Sequence, residues 1–471
     1  MKRERTLSLG VLWLLLPLLQ TGCAGALRSY DAELRATTSL VRVNRPDLAL
    51  QTLEKNNADP EKDLLYYMEK GELLRLQGAF ADSRSSWMAA DQKVQQWEEQ
   101  ARTDPGKLLG AIGSVVVNDK VRTYEGYDYE KVLLTAQIAL DHIALGDWEA
   151  ARTEIKKTHE REAIIADLHA KKVMQEEAES GNRHVRRSVK ELQGYPVDTL
   201  NDPQVIALKN SYQNAFSHYL AGFVYEALGE PGLAAPGYRQ AIELRPDIPL
   251  LEEGLKQLDR RRERLAAGKT DLLFVLEGGL APARSSVMIP LPIPSAGLVT
   301  LSFPVVPDNP SASYHPGPLQ IDGNKWVEMA AVTSVDAMAR RTLRDDLPGI
   351  VLRSTLRAAS RGIAQGQANR KGNELVGLAV MLTGLVLESA DERSWRTLPA
   401  TIFLGRTALK PGRYTLSFDT AYGNRASMAL DVGGRYQLVP IRVVGDTLYL
   451  ANTPGSSYGS LPVVGGRALT K

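Results

Sequence analysis

The stretch "HYLAGFVYEALGEPGLAAPGYRQAIELRPD" (His218–Asp247) decides how the first half of this 471-residue chain is read. Small residues, aromatics and a proline recur at set offsets: Gly222, Tyr225, Gly229, Ala234, Tyr238, Ala241 and Pro246. Two antiparallel helices that cross closely need small side chains at the crossing, which Gly222 and Ala234 supply. Tyr238 and Ala241 are then placed to pack on the next pair, and Pro246 ends the second helix because it cannot continue the hydrogen-bond ladder.

Working outward, "YYMEKGELLRLQGAFADSRSSWMAA" (Tyr66–Ala90) puts Gly71, Leu74, Gly78, Phe80, Ser83, Trp87 and Ala90 in the same register. "LLTAQIALDHIALGDWEAARTEI" (Leu133–Ile155) adds Ala139, Gly146, Trp148, Ala151 and Ile155. A weaker half-unit, "RPDLALQTLEK", places Ala49 about one repeat length before Ser83. These are the spacings of a tetratricopeptide repeat, and three clear units are about the minimum for a stable stack. Two segments interrupt the array. Leu108–Lys131 is β-branched, then polar and aromatic, and reads as an ordered excursion. His159–Pro203 reads as a long charged helix that breaks near Gly181 and ends in a loop. Its basic cluster, Arg183–Lys190, suits either phosphate headgroups or a solvated face beside the acidic "QEEAE".

Near Gly268 the period changes from helix to strand. "DLLFVLEGGLAP" reads as a strand and a turn, and the Pro-broken "SSVMIPLPIPSAGLVTLSFPVV" as edge strands and crossing loops. Trp326–Thr333 reads as a further strand. Three helices are expected next, over Val335–Asp345, Gly349–Gln365 and Glu374–Glu388. The last contains "LVGLAVMLTGLVL", an uncharged run that fits a buried helix or a membrane- or partner-docking one and is short for a span. Strands return in Leu398–Thr420, with a turn at Pro411 and Gly412, and in Arg425–Val432 and Arg435–Ala451. Evenly spaced short strands imply a small sandwich. The expected fold class is therefore α+β and multidomain. An N-terminal α-solenoid of interrupted tetratricopeptide repeats (residues 23–267) is followed by a β-rich, sandwich-like domain (268–471) with inserted helices at about 335–388.

The N-terminus speaks to location. Lys2, Arg3 and Arg5 precede an apolar run, Leu9–Leu19, and then Thr21, Gly22 and Cys23, the one cysteine of the chain. The run has the length of a signal-peptide core rather than a membrane span. It resembles a bacterial lipoprotein signal, which implies removal of residues 1–22 and acylation of Cys23, palmitate included. Gln20 departs from the aliphatic residue usual at that place, and Ala24 stands where an aspartate would signal retention in the inner membrane. The expected site is thus the periplasmic face of the outer membrane. An ordinary secretory signal with an incidental thiol is the alternative.

Composition excludes several classes. A net charge of +2 gives no field to gather nucleic acid, and a single thiol excludes disulfide frameworks and cysteine-rich metal sites. The six histidines, His142, His159, His169, His184, His218 and His315, form no compact metal pattern. No nucleotide-binding glycine loop or G-x-S-x-G elbow occurs either, so no catalytic residue, metal or cofactor is expected. "DERSWRTLP" (Asp391–Pro399) is the one place to suspect a site. Arg393, Trp395 and Arg396 are hot-spot residue types suited to anchoring a partner. Alternatively Asp391 pairs with an arginine while Trp395 seals a core.

Three stretches resemble one family, the largely uncharacterised bacterial tetratricopeptide-repeat lipoproteins sometimes found near the lipoprotein activator of a penicillin-binding protein. They are Val115–Leu134 running into "ALDHIALGDWEAARTEIKK", then "EGGLAPAR", then "ADERSWRTLPATIFLGRTALKPGRYTL" with Asp391, Arg393, Trp395, Arg396, Leu398 and Pro399. Lys156 and Lys157 stand where the family favours arginine. The resemblance implies an envelope location and this domain order, and it carries over no catalytic residue. The expected function is a non-catalytic, outer-membrane-anchored lipoprotein that recruits envelope proteins of unknown identity through its repeats, with cell-wall synthesis as the associated process. A subunit of a secretion or surface-assembly complex and a peptidoglycan-modifying enzyme are the alternatives.

Overall fold

The computed structural model describes residues 30–103, 123–183, 194–260, 263, 267–293, 297–370, 390–450 and 454–459. Its first part is helical: α1 (Tyr30–Arg42), α2 (Pro46–Asn56), α3 (Leu64–Leu76), α4 (Phe80–Thr103), α5 (Asp128–Ala144) and α6 (Trp148–Arg183). A one-turn α7 (Pro203–Ala207) precedes α8 (Ala215–Ala227), α9 (Pro231–Leu244) and α10 (Pro249–Asp259).

Three helical hairpins, α3–α4, α5–α6 and α8–α9, close in the same way. Gly78, Gly146 and Gly229 take φ of 76°, 84° and 88°, the left-handed conformation that a side chain resists. In each, the glycine N–H donates to Arg75, Ile143 or Glu226, and the next residue's N–H to Leu74, His142 or Tyr225. Asn44 does the same for α1–α2 at φ 59°, with Asn44 and Arg45 donating to Val41 and Leu40. The apparent half-unit is therefore the second helix of a complete hairpin.

The crossings are equally alike. Gly71 and Gly222 each precede the turn glycine by the same offset as Ala139. A Cβ on Gly71 would lie 2.2 Å from the Trp87 ring, and one on Gly222 2.7 Å from the Tyr238 ring. Ala90, Ala139, Ala151, Ala234 and Ala241 are buried with them. At the end of α9, Arg245 leaves the helical region (φ −141°, ψ 73°) just before Pro246, as the residue before a proline must.

The strands form three sheets. The central one has the order β11 (Thr447–Leu450), β10 (Tyr436–Val444), β1 (Thr270–Gly278), β7 (Thr401–Leu409), β6 (Ala330–Ser334), with β12 (Ser457–Tyr458) also on β10. β1 runs parallel to β10 and antiparallel to β7. An antiparallel sheet joins β5 (Lys325–Val327), β4 (Leu319–Ile321), β8 (Gly412–Asp419) and β9 (Arg425–Val432). A hairpin of β2 (Ser285–Ile293) and β3 (Gly297–Val305) makes the third. Its prolines fit because a two-stranded sheet leaves an outer edge on each strand, where a missing N–H is not needed.

Every residue of β1 is buried, and its alternation assigns the two faces. Leu272, Phe274 and Leu276 pack with Ile321, Leu416, Phe418 and Leu430 of the second sheet. Leu273 and Val275 share a core with Leu65 and Met68 of α3, Leu133 and Leu140 of α5, and Phe216 and Phe223 of α8. The central sheet is thus sandwiched, with helices on one face and a smaller sheet on the other.

Two expectations are corrected. Trp326–Thr333 is divided between β5 and β6, which belong to different sheets. The first two of the three expected helices are one, α11 (Val335–Arg370), which passes through Pro348. A proline inside a helix costs about 3 kcal/mol. Here burial of Leu343, Leu347 and Val351 against Ile289, Leu301 and Phe303 opposes that cost. The expected helix Glu374–Glu388, most of the Leu108–Lys131 excursion and most of the Arg183–Lys190 cluster lie outside the described residues.

The crossings set a test. Gly222→Ala and Gly71→Ala should each lower stability by about 1–3 kcal/mol through overpacking. Gly232→Ala, whose Cβ would meet nothing within 4 Å, should leave it unchanged or slightly raised. Urea denaturation of the three variants distinguishes a close crossing from a loose one.

Candidate functional site

The Asp391–Pro399 segment enters the structure as a wedge between helices and sheet. Two buried glutamates grip its main chain. Glu69 of α3 accepts from the Arg396 N–H at 2.7 Å and from the Thr397 hydroxyl at 2.6 Å. Glu130 of α5 accepts from the Trp395 N–H at 2.8 Å, and also from the Tyr127 N–H and the Tyr124 hydroxyl. The Trp395 indole donates to Thr397 and meets the Trp87 ring edge-on at 5.9 Å. Arg396 pairs with Asp31 of α1 at 2.7 Å, and Arg393 grips both oxygens of Asp391 at 2.8 Å.

These contacts correct the reading of Trp395, Arg393 and Arg396 as an exposed partner anchor. Their exposures are 0%, 4% and 3%. They hold the chain to itself.

A second join lies deeper. Glu277 of β1 and Arg442 of β10 are register partners and point to the helix face. Arg442 donates to Glu72 at 2.9 Å and to the carbonyls of Glu277, Gly279 and Thr397. Glu277 accepts from Arg75 and from Gln137, both at 2.6 Å. Farther along the sheet, Arg406 of β7 pairs with Glu226 of α8 and Asp271 of β1, each at 2.8 Å. The first helices of all four hairpins therefore face the chain's own sheet or wedge.

Sequence reasoning missed Glu69, Glu72, Arg75, Glu130 and Glu226, since charges on helices ordinarily belong to solvated faces, and it missed Glu277, Arg406 and Arg442, whose partners are distant in sequence. A signal existed in "DYEKVLLTAQIALDHIA", whose polar residues are spread around the helix instead of gathered on one side. Its apolar residues also run round the whole helix, and a helix apolar on every side is covered all round.

A cavity of about 230 Å³ opens beside the wedge, between α5, α6, α11 and β3. His169 meets Asp128 at 2.5 Å, and Lys131 meets it at 3.1 Å. Although burial works the other way, Lys131 and His169 hold the Asp128 carboxyl well below the usual range. The hydrogen bond to Asp128 in turn raises His169 above an ordinary histidine. Lys172 pairs with Asp346 at 2.5 Å across the same space.

The other expected residues fall outside any site. Gly71, Gly78, Trp87, Gly146, Gly229 and Tyr238 serve the hairpins, and Cys23 lies outside the described residues. Among the described residues no group of three or more His, Cys, Asp or Glu side chains is placed to hold a metal ion. None of their helices is long and apolar enough to cross a membrane. The chain matches no protein-family model, no curated protein and no solved structure.

The grip on the wedge is pH-dependent. Burial pushes the Glu69 carboxyl up to about 7, against the hydrogen bonds from Thr397 and Arg396. The folded chain then holds that proton above the pH at which the unfolded chain releases it, so stability falls as pH rises from the ordinary glutamate range towards 7. Glu69→Gln should lose less stability than the wild type between about pH 5 and 8. Identical slopes in urea denaturation would contradict the buried-carboxyl account.

Proposed function

We propose that the chain is a non-catalytic lipoprotein of the bacterial envelope, acylated at Cys23 and held to the periplasmic face of the outer membrane. In this reading its hairpins are tetratricopeptide repeats, and they scaffold other envelope proteins. The observation that carries it is the shared hairpin geometry, with the same turn glycine, crossing contact and buried alanines in repeat after repeat. The lipoprotein-like N-terminus supports the location.

The inner face of the repeats is filled by the chain's own sheet. Recruitment then falls to the outer row, α2, α4, α6 and α9, where Met88 and Leu233 are exposed. Tethering raises the local concentration of whatever binds there. Several acyl chains on one cysteine would anchor it stably where a single chain would not. Peptidoglycan-synthesis regulation is the process the family resemblance favours.

An enzyme reading has one observation in its favour, the His169–Asp128 pair facing the cavity. Release of peptidoglycan fragments by the purified chain would support it over the scaffold.

Lipidation is the first test. Radiolabelled palmitate should enter the wild type in the outer-membrane fraction and be absent from Cys23→Ser. No label in either would remove the anchor from this proposal.

A further inference from the structure

The cavity beside the wedge holds a buried cation that makes no ion pair among the described residues, with Asp346 the acid that acts on it from a distance. Arg284 closes the loop after β1, at the end of "EGGLAPAR", and is 4% exposed. Its guanidinium lies 4.1 Å from the centre of the Tyr127 ring, and its Nη2 is buried without a hydrogen-bond partner. It forms no ion pair among the described residues, while its own carbonyl accepts from Arg396. Leaving a buried guanidinium N–H unsatisfied is costly, and evolution of a helix–sheet joint offers cheaper side chains for that place.

The cavity's other charges are matched. Lys131 and His169 meet Asp128, Lys172 meets Asp346, and Arg393 meets Asp391. Arg353 also faces the space and acts on Asp346. Among the described residues five Lys and Arg side chains (131, 172, 284, 353, 393), with His169, stand against four carboxylates (125, 128, 346, 391), which leaves the lining positive. The rest of the wall is aromatic and aliphatic, including Trp97, Tyr124 and Ile165.

We propose that this cavity binds an organic monocarboxylate, with Arg284 as the fork that receives the carboxylate and the aromatic wall holding the organic body. A guanidinium offers two parallel N–H donors to a carboxylate, and stacking on Tyr127 fixes the plane of that fork. Inorganic phosphate has no organic body to cover the aromatic and aliphatic wall, so it would leave that surface unused. The carboxylate chemistry is shared by a peptide C-terminus and a sugar acid. The site does not depend on the lipid anchor or on the scaffold reading.

The test is calorimetric titration of the full-length chain in detergent with three probes: N-acetyl-alanyl-alanine, glucuronate and inorganic phosphate. At least one carboxylate should bind with a Kd of about 1 mM or tighter, more tightly than phosphate. Whichever carboxylate binds more tightly identifies the source. Arg284→Met should weaken that binding at least about ten-fold while its unfolding temperature stays level or rises, because an unmatched buried cation has been removed. Should Arg284→Met not fold, Arg284→Lys carries the same test, keeping the charge and losing the fork. Three results would overturn the proposal: no carboxylate binding up to about 10 mM, phosphate binding as tightly as the carboxylates, or unchanged binding in the folded variant.

Discussion

Glu277 and Arg442 stand side by side on parallel strands in the middle of the sheet, both fully buried, and the fold is arranged around satisfying them. Taking two such charges out of water costs several kcal/mol for each ion unless the geometry returns it. Glu72 and Arg75 of α3, Gln137 of α5 and three nearby carbonyls provide the partners. Apolar contact between helices and sheet is non-directional and tolerates sliding. A guanidinium with four fixed acceptors does not. Arg406 repeats the arrangement with Glu226 and Asp271, so the helical layer is pinned near both ends of the central strands.

This join occupies one whole side of the helical hairpins. The side of a helical array that ordinarily receives a partner is occupied in cis by β1, β7, β10 and the Trp395 wedge. The consequence is one body with a helical layer, a central sheet and a covering sheet, and among the described residues the outer helices and the cavity at the wedge lie away from that join. Main-chain recognition is central to that wedge. Glu69 and Glu130 bind the N–H groups of Arg396 and Trp395, so the segment is held by its backbone as well as by its side chains.

The hairpins were legible in the sequence because their determinants are local. A turn residue with positive φ, a small residue at a crossing and a proline after a helix each leave a mark within a few positions. Asn44 in place of glycine is what disguised the first hairpin as half a unit. The pairing of β1 with β10 is parallel and separated by more than half of the strand-rich chain, and no local pattern encodes it. The charged core was hidden for a related reason. Glu72, Arg75, Glu130 and Glu226 look like solvated helix residues until the sheet that buries them is placed. On sequence alone Trp395 fits both a partner anchor and a core seal. Burial decides for the seal.

The measurement that tests the central claim most directly is differential scanning calorimetry of the wild type beside Arg442→Met. The variant leaves the Glu72 carboxylate and the carbonyls of Glu277, Gly279 and Thr397 short of a buried donor, a loss of about 3–5 kcal/mol by comparison with other broken buried pairs. If helices and sheet share one core joined by these ions, the chain unfolds in one transition and the variant moves that whole transition downward. Two separate transitions, with only one of them displaced by the substitution, would contradict the account.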